Sequence, residues 1–98
     1  MIDDIPDHLV TIRRILANRV PGCEVRAFGS RVTWTAKQYS DLDLAVAGEK
    51  LLDPDVLRPL KEDFEESDLP YRVDVVDWQA LPVSFRSMIE KKCEVIQR

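Results

Sequence analysis

Apolar residues in the first quarter of the chain recur first at helical and then at strand spacing. The helical set, spaced three or four residues apart, consists of Ile5, Leu9, Ile12 and Leu16. Pro6 suits the first turn of this predicted helix, and Pro21-Gly22 ends it. Cys23 to Phe28 then places apolar side chains at every second position, which predicts a short strand that Gly29-Ser30 terminates.

The middle of the chain predicts a second strand and a second helix. Asp41 to Ala47 alternates again, and its two faces hold Leu42, Leu44 and Val46 on one side and Asp41 and Asp43 on the other. Asp53-Pro54 is a suitable cap and first-turn pair for a helix. The apolar stripe that follows, and that we expect to be buried, consists of Leu57, Leu60 and Phe64.

The last third of the chain predicts a strand, a helix and a short final strand. Tyr71 to Asp77 forms the strand, and a helix around Pro82 to Lys91 is predicted to bury Phe85, Met88 and Ile89. Val95-Ile96 is compatible with a short last strand. This order of elements predicts an α+β fold in which helices pack on one small mixed sheet.

Size and charge limit the classes of protein to consider. The 98 residues suit one domain, which we expect to span residues 1–98. No apolar run approaches the ~18 residues of a membrane span, and no secretion signal is evident, so we expect a cytoplasmic protein without membrane contact. The net charge of −4 argues against binding to free nucleic acid, because such binders normally carry a basic excess.

A zinc site is not predicted. Cys23 and Cys93 form no CxxC pair, and His8 is the only histidine. In a cytoplasmic protein the two cysteines are expected to be buried, reduced thiols.

Two carboxylates interrupt an otherwise apolar strand at Asp41-Leu42-Asp43. Strand geometry places both on one face, about 6–7 Å apart along the chain at ~3.3 Å per residue. Like charges at that spacing repel each other, and a dication between them would offset the repulsion. Because the ligands offer oxygen only, magnesium is the expected metal, with manganese as a substitute.

A second feature is the sequence Phe28-Gly29-Ser30, where a strand gives way to two small residues. Glycine lets a backbone approach a phosphate closely, and serine offers both an amide and a hydroxyl group. The spacing between the two features is Gly-Ser-x10-Asp-x-Asp. If each fixed residue occurs at about 6%, roughly one chain in a thousand of this length has this pattern by chance.

This pattern resembles the signature of the DNA polymerase beta-like nucleotidyltransferase superfamily. The stretch from Phe28-Gly29-Ser30-Arg31 through Ser40-Asp41-Leu42-Asp43-Leu44 is similar to its minimal branch, the MNT domains, and the resemblance covers nearly the whole chain. The resemblance implies a polymerase beta-like palm fold and an enzyme that moves AMP from ATP to a hydroxyl group. It also implies an antitoxin that modifies a tyrosine of a HEPN ribonuclease toxin, its partner in a hetero-oligomer.

The superfamily needs a third carboxylate on a later strand, and Asp74 is the candidate that the resemblance implies. Asp74 lies in mid-strand between two valines, whereas Asp77 lies at the strand's end, faces the opposite side and suits a helix cap. The alternative for Asp74 is a surface ion pair with Arg72. In the implied mechanism one magnesium ion is held by Asp41, Asp43 and Asp74, and a second by Asp41 and Asp43.

The loop after Gly29-Ser30 departs from the family pattern. Relatives commonly have a second arginine and a glycine soon after Gly-Ser-Arg, where this chain has Thr33 and Trp34. Gly29, Ser30 and Arg31 are the predicted nucleotide contacts, and Lys37 is a further candidate for the phosphates.

Two alternatives to the antitoxin enzyme stay open at this point. One is a nucleotidyltransferase that modifies a small molecule, and the other is a non-catalytic antitoxin that neutralises its partner by contact alone. The clustered acids count against the second, since a pure binder has no need of them.

Overall fold

The structure is a computed structural model, and it describes residues 6–29 and 41–98. Three helices and four strands follow each other along these residues. The helices are α1 (Pro6–Arg19), α2 (Pro54–Glu65) and α3 (Val83–Lys91). The strands are β1 (Glu24–Phe28), β2 (Leu42–Ala47), β3 (Val73–Asp77) and β4 (Glu94–Gln97), and a 3₁₀ turn (Trp78–Ala80) follows β3.

The four strands form one mixed sheet in the order β3-β2-β1-β4. β1 is antiparallel to both β2 and β4, whereas β2 and β3 are parallel. The parallel connection needs a crossover, which α2 supplies. The predicted α+β fold with a small mixed sheet is therefore confirmed, including the short last strand.

One face of the sheet forms the core under α1 and α2. The predicted apolar faces supply it, because Leu42, Leu44 and Val46 on β2 are fully buried. They pack with Ile12 and Leu16 of α1 in one cluster. The cluster also includes Leu60 and Phe64 of α2, as predicted, and burying a side chain of this size contributes about 1.5–3 kcal/mol.

The other face of the sheet is covered in part by α3 and the 3₁₀ turn. Phe28 of β1 packs edge-on against Phe85 of α3, with ring centroids 6.1 Å apart. The guanidinium of Arg26 lies 4.8 Å from the centre of the Trp78 ring. This cover is partial. Part of that face stays open to solvent, including Asp74 near the start of β3.

The prediction that α3 buries Met88 is wrong, since Met88 is 57% exposed. Adjacent helical positions differ by about 100° in direction, so Ile89 faces the protein and is 2% exposed while Met88 faces outward. Phe85 is half-buried rather than buried. Cys23 and Cys93 are free, but both are half-buried, so the expectation of buried thiols is also wrong.

In the part of the chain that the structure describes, no helix has both the length and the apolar character needed to cross a bilayer.

Candidate active site

Two of the three predicted aspartates lie side by side on the parallel strands β2 and β3. Asp43 and Asp74 are register partners, so their side chains project from the same face of the sheet. Asp41 precedes Asp43 by two residues. The pairing of the two strands continues there, because the Leu42 amide donates a hydrogen bond to the Arg72 carbonyl at 2.9 Å. Strand alternation therefore directs Asp41 to the same face as Asp43 and Asp74.

The pKa of the Asp43 carboxyl group responds to this arrangement. Burial raises the pKa of the Asp43 carboxyl, and the nearby negative charges of Asp74 and then Asp41 raise that pKa further. Asp43 is half-buried, whereas Asp41 and Asp74 are exposed. An ionised Asp43 is therefore costly in the protein alone, and a bound cation would offset that cost.

The donor set fits a hard divalent cation, because all three side chains offer carboxylate oxygens. Within residues 6–29 and 41–98, however, no three His, Cys, Asp or Glu side chains are already gathered closely enough to hold a metal ion. The backbone brings the three aspartates to one face, and their carboxylates would have to rotate inward to share a cation.

Gly29 lies against Asp43 at the end of β1. Its φ angle is +83°, and a Cβ atom at this position would collide with the Oδ2 atom of Asp43. Only glycine satisfies both conditions without strain. The absence of a side chain thus leaves the backbone at the end of β1 in direct contact with the aspartate cluster.

The other predicted nucleotide contacts, Ser30 and Arg31, lie outside the described residues. The same holds for Lys37 and for the departures at Thr33 and Trp34. Their roles stay predictions from the sequence.

Asp77 is not part of this cluster. It is paired with Val46 in register, on the core face of the sheet, and is 8% exposed. Its carboxylate accepts hydrogen bonds from the Gln79 amide at 3.0 Å and the Leu52 amide at 2.8 Å. The interpretation of Asp77 as a helix cap is therefore correct, since it caps the 3₁₀ turn.

A groove beside Asp74 was missed by the sequence analysis. It has a volume of about 580 Å³ and lies between α2 and β3, with Lys61, Arg72 and Asp74 among its lining residues. Among the residues described, no ion pair joins Arg72 to Asp74, so the alternative of a surface ion pair for Asp74 gains no support here. Lys61 gave no signal in the sequence because it stands in a run of charged helix residues.

Comparison with known proteins assigns the chain to a family. The family described as polymerase beta, nucleotidyltransferase, matches residues 11–98. A Haemophilus influenzae protein named a probable protein adenylyltransferase, MntA, is 48% identical over 96 residues, which cover 98% of this chain and 84% of that protein.

Solved structures of toxin–antitoxin complexes share the fold. A toxin–antitoxin structure with AMP-PNP matches with a TM-score of 0.75 and 24% identity, over 90% of this chain and 71% of that one. An MNT antitoxin in complex with a tri-AMPylated HEPN toxin of Shewanella oneidensis matches with a TM-score of 0.66 and 22% identity, over 90% of this chain and 67% of that one. At these identities the likeness shows the fold alone.

Proposed function

Because this chain belongs to the polymerase beta nucleotidyltransferase family, we propose that it transfers AMP from ATP to a hydroxyl group of a HEPN toxin and thereby acts as its antitoxin. The 48% identical relative, a probable protein adenylyltransferase, supports the transfer of AMP to a protein. Two neighbours in structure support the donor and the acceptor, since one holds AMP-PNP and the other a tri-AMPylated HEPN toxin.

The observation that supports this proposal most strongly is the register of β2 and β3. It sets Asp43 opposite Asp74, with Asp41 on the same face and Gly29 in contact with Asp43. A strand interior with two facing carboxylates is unfavourable unless a cation binds there. This arrangement therefore serves binding rather than stability.

Each residue has a proposed role in the transfer. When bound, two magnesium ions would neutralise the triphosphate and lower the pKa of the acceptor hydroxyl. Asp41, Asp43 and Asp74 would hold these ions, and Asp74, the outermost of the three, faces the approach of the acceptor. The backbone at Gly29-Ser30 would hold the β- and γ-phosphates, with Arg31 as a further contact. The residues thus act by positioning and by balancing charge.

The proposed acceptor is a tyrosine of the HEPN partner, with which the chain would form a hetero-oligomer. We place the reaction in the cytoplasm, where ATP and magnesium are available. Manganese would substitute for magnesium, since both prefer oxygen ligands.

The test is the mass of the cognate HEPN protein after incubation with this chain, ATP and magnesium. The proposal predicts a gain in AMP units that disappears when EDTA is added. Asp43→Asn should abolish the gain, whereas Asp68→Asn, the same charge change at an exposed position outside the site, should leave it intact.

Cell protection separates the remaining alternatives. If Asp41→Asn and Asp43→Asn still protect cells from the toxin, the chain is an antitoxin by contact alone. If the HEPN protein gains no mass with the unaltered chain while a small hydroxyl compound does, the acceptor is a small molecule.

A further inference from the structure

The groove between α2 and β3 opens directly beside Asp74. Its lining combines the apolar side chains of Phe64, Leu69 and Val73 with charged ones, which are the cations Lys61 and Arg72 and the carboxylates Glu65 and Asp74. Lys61, Arg72 and Asp74 are exposed, whereas Leu69 and Val73 are half-buried. Apolar side chains next to charged ones suit an aromatic side chain that carries a hydroxyl group.

The strand order places this groove across the sheet from Gly29, one of the predicted phosphate contacts. Gly29 ends β1, Asp43 lies on β2 in the middle, and Asp74 lies on β3 at the edge of the sheet. In phosphoryl transfer the attacking and leaving oxygens lie roughly in line on opposite sides of phosphorus. If the leaving phosphates lie on the side of β1, the acceptor must approach from the side of β3, where the groove is.

The edge of β3 also offers backbone groups. Among the described residues β3 pairs only with β2, and the Arg72 carbonyl points toward β2 because it accepts from the Leu42 amide. Strand alternation then directs the backbone groups of Val73 and Val75 toward the free edge, into the groove. A peptide segment that lies along this edge can hydrogen-bond to them.

We propose that this groove binds the segment of the HEPN partner that carries the acceptor tyrosine, an inference that rests on the proposed function. The tyrosine ring lies against Phe64, Leu69 and Val73, and its hydroxyl group reaches past the edge strand β3 to Asp74, whose side chain projects from the other face of the sheet. Lys61 and Arg72 donate hydrogen bonds to carbonyl or carboxylate groups of the same segment. The groove thereby selects the acceptor, while the opposite side of the aspartate cluster holds the nucleotide.

The experiment measures the steady-state rate of AMP transfer to the HEPN protein, with ATP and the acceptor varied in turn. Lys61→Glu and Arg72→Glu are both at exposed positions, so folding is preserved, and Arg14→Glu on α1 makes the same charge change away from the groove. The inference predicts that KM for the acceptor rises about tenfold or more in the two groove variants. KM for ATP stays within twofold. Lys61→Arg and Arg72→Lys, which keep the positive charge, retain most of the acceptor affinity.

Three results would overturn the inference. The first is an acceptor KM in the groove variants equal to that of Arg14→Glu. The second is a rise in KM for ATP instead, which would assign the groove to the nucleotide. The third is an absence of transfer by the unaltered chain, which would overturn the proposed function and this inference together; the first two leave the proposed function standing.

Discussion

Gly29 and Asp43 show how single residues set the geometry of the site. The positive φ angle of Gly29 and the Asp43 carboxylate at its Cβ position both make any other residue strained there. The pattern Gly-Ser-x10-Asp-x-Asp could be read from the sequence, but the contact could not. It depends on the antiparallel register that pairs Phe28 with Asp43.

Gly29→Ala should impair both stability and transfer. The backbone strain costs about 1–3 kcal/mol, and the added methyl group displaces the Asp43 carboxylate, so transfer should fall at least about tenfold. Gly22→Ala is the control, because nothing lies within 4 Å of a Cβ atom there. Thermal unfolding and transfer rates check the pair, and equal behaviour of the two variants would show that the Gly29 contact is unimportant.

Asp43→Asn should stabilise the protein in EDTA while it abolishes transfer. The raised pKa of Asp43 means that its negative charge lowers the free energy of unfolding. This loss of stability is present at neutral pH and disappears as pH falls through the folded-state pKa. Removing this charge should raise Tm near pH 7. The gain should vanish below about pH 3, where the carboxyl group is protonated in both the folded and unfolded states. Unfolding scans between pH 3 and 8 measure it, and a variant less stable than the original at pH 7 would refute the argument.

At the scale of elements, the ends of helices and strands follow local rules that the sequence displays. Asp53 caps α2 as predicted, and its Oδ1 accepts from the Asp55 amide at 2.8 Å. The 3₁₀ turn after β3 was not predicted, because three residues give no periodic signal. The hydrogen bond from the Leu52 amide to Asp77 was not predicted either, since 25 residues separate the two and only the fold brings them together.

Asp74 and Asp77 should give opposite results when each is replaced by alanine. Asp77→Ala leaves two amides without their acceptor and should cost about 2 kcal/mol or more. Asp74→Ala removes an exposed side chain and should change stability by less than about 0.5 kcal/mol, yet it should abolish transfer. Denaturant unfolding and transfer per folded molecule measure the two effects. A loss of transfer in Asp77→Ala but not in Asp74→Ala would show that Asp77, and not Asp74, serves the reaction.

α1 and α2 are joined by an ion pair whose contribution should depend on pH. Arg19 donates to both carboxylate oxygens of Asp63, at 2.6 and 3.2 Å, and this hydrogen bond lowers the pKa of Asp63. The stabilisation is therefore present above the unfolded-state pKa of about 3.9 and is lost as pH falls through the lower folded-state pKa. Asp63→Asn should lower Tm slightly at pH 7 but not at pH 2, and high salt should shrink the difference. A loss of Tm that is independent of pH would point to packing instead.

For the whole molecule, the sequence was informative about elements and chemistry but not about how the elements assemble. The alternation in β2 predicted which side chains enter the core, because one face must be buried. The strand order and the parallel pairing of β2 with β3 were not predicted, since neither leaves a local pattern in the sequence. Met88 shows the same limit, because apolar character alone does not tell which side of α3 another element covers.

The assembled sheet offers room for the two substrates of the proposed reaction. Strand β2 bears Asp43 and is preceded by Asp41, the β1 side offers the glycine backbone, and the β3 edge offers Asp74 with its groove. A nucleotide and an acceptor can thus approach the aspartates from opposite sides.

The most direct test of the central claim is the number of Mn²⁺ ions bound by the chain in complex with its HEPN partner and AMP-PNP, counted by electron paramagnetic resonance. We expect two ions per chain, one after Asp74→Asn, and two after the control Asp68→Asn. A complex that binds no more Mn²⁺ than AMP-PNP alone, or that keeps two ions after Asp74→Asn, would contradict it.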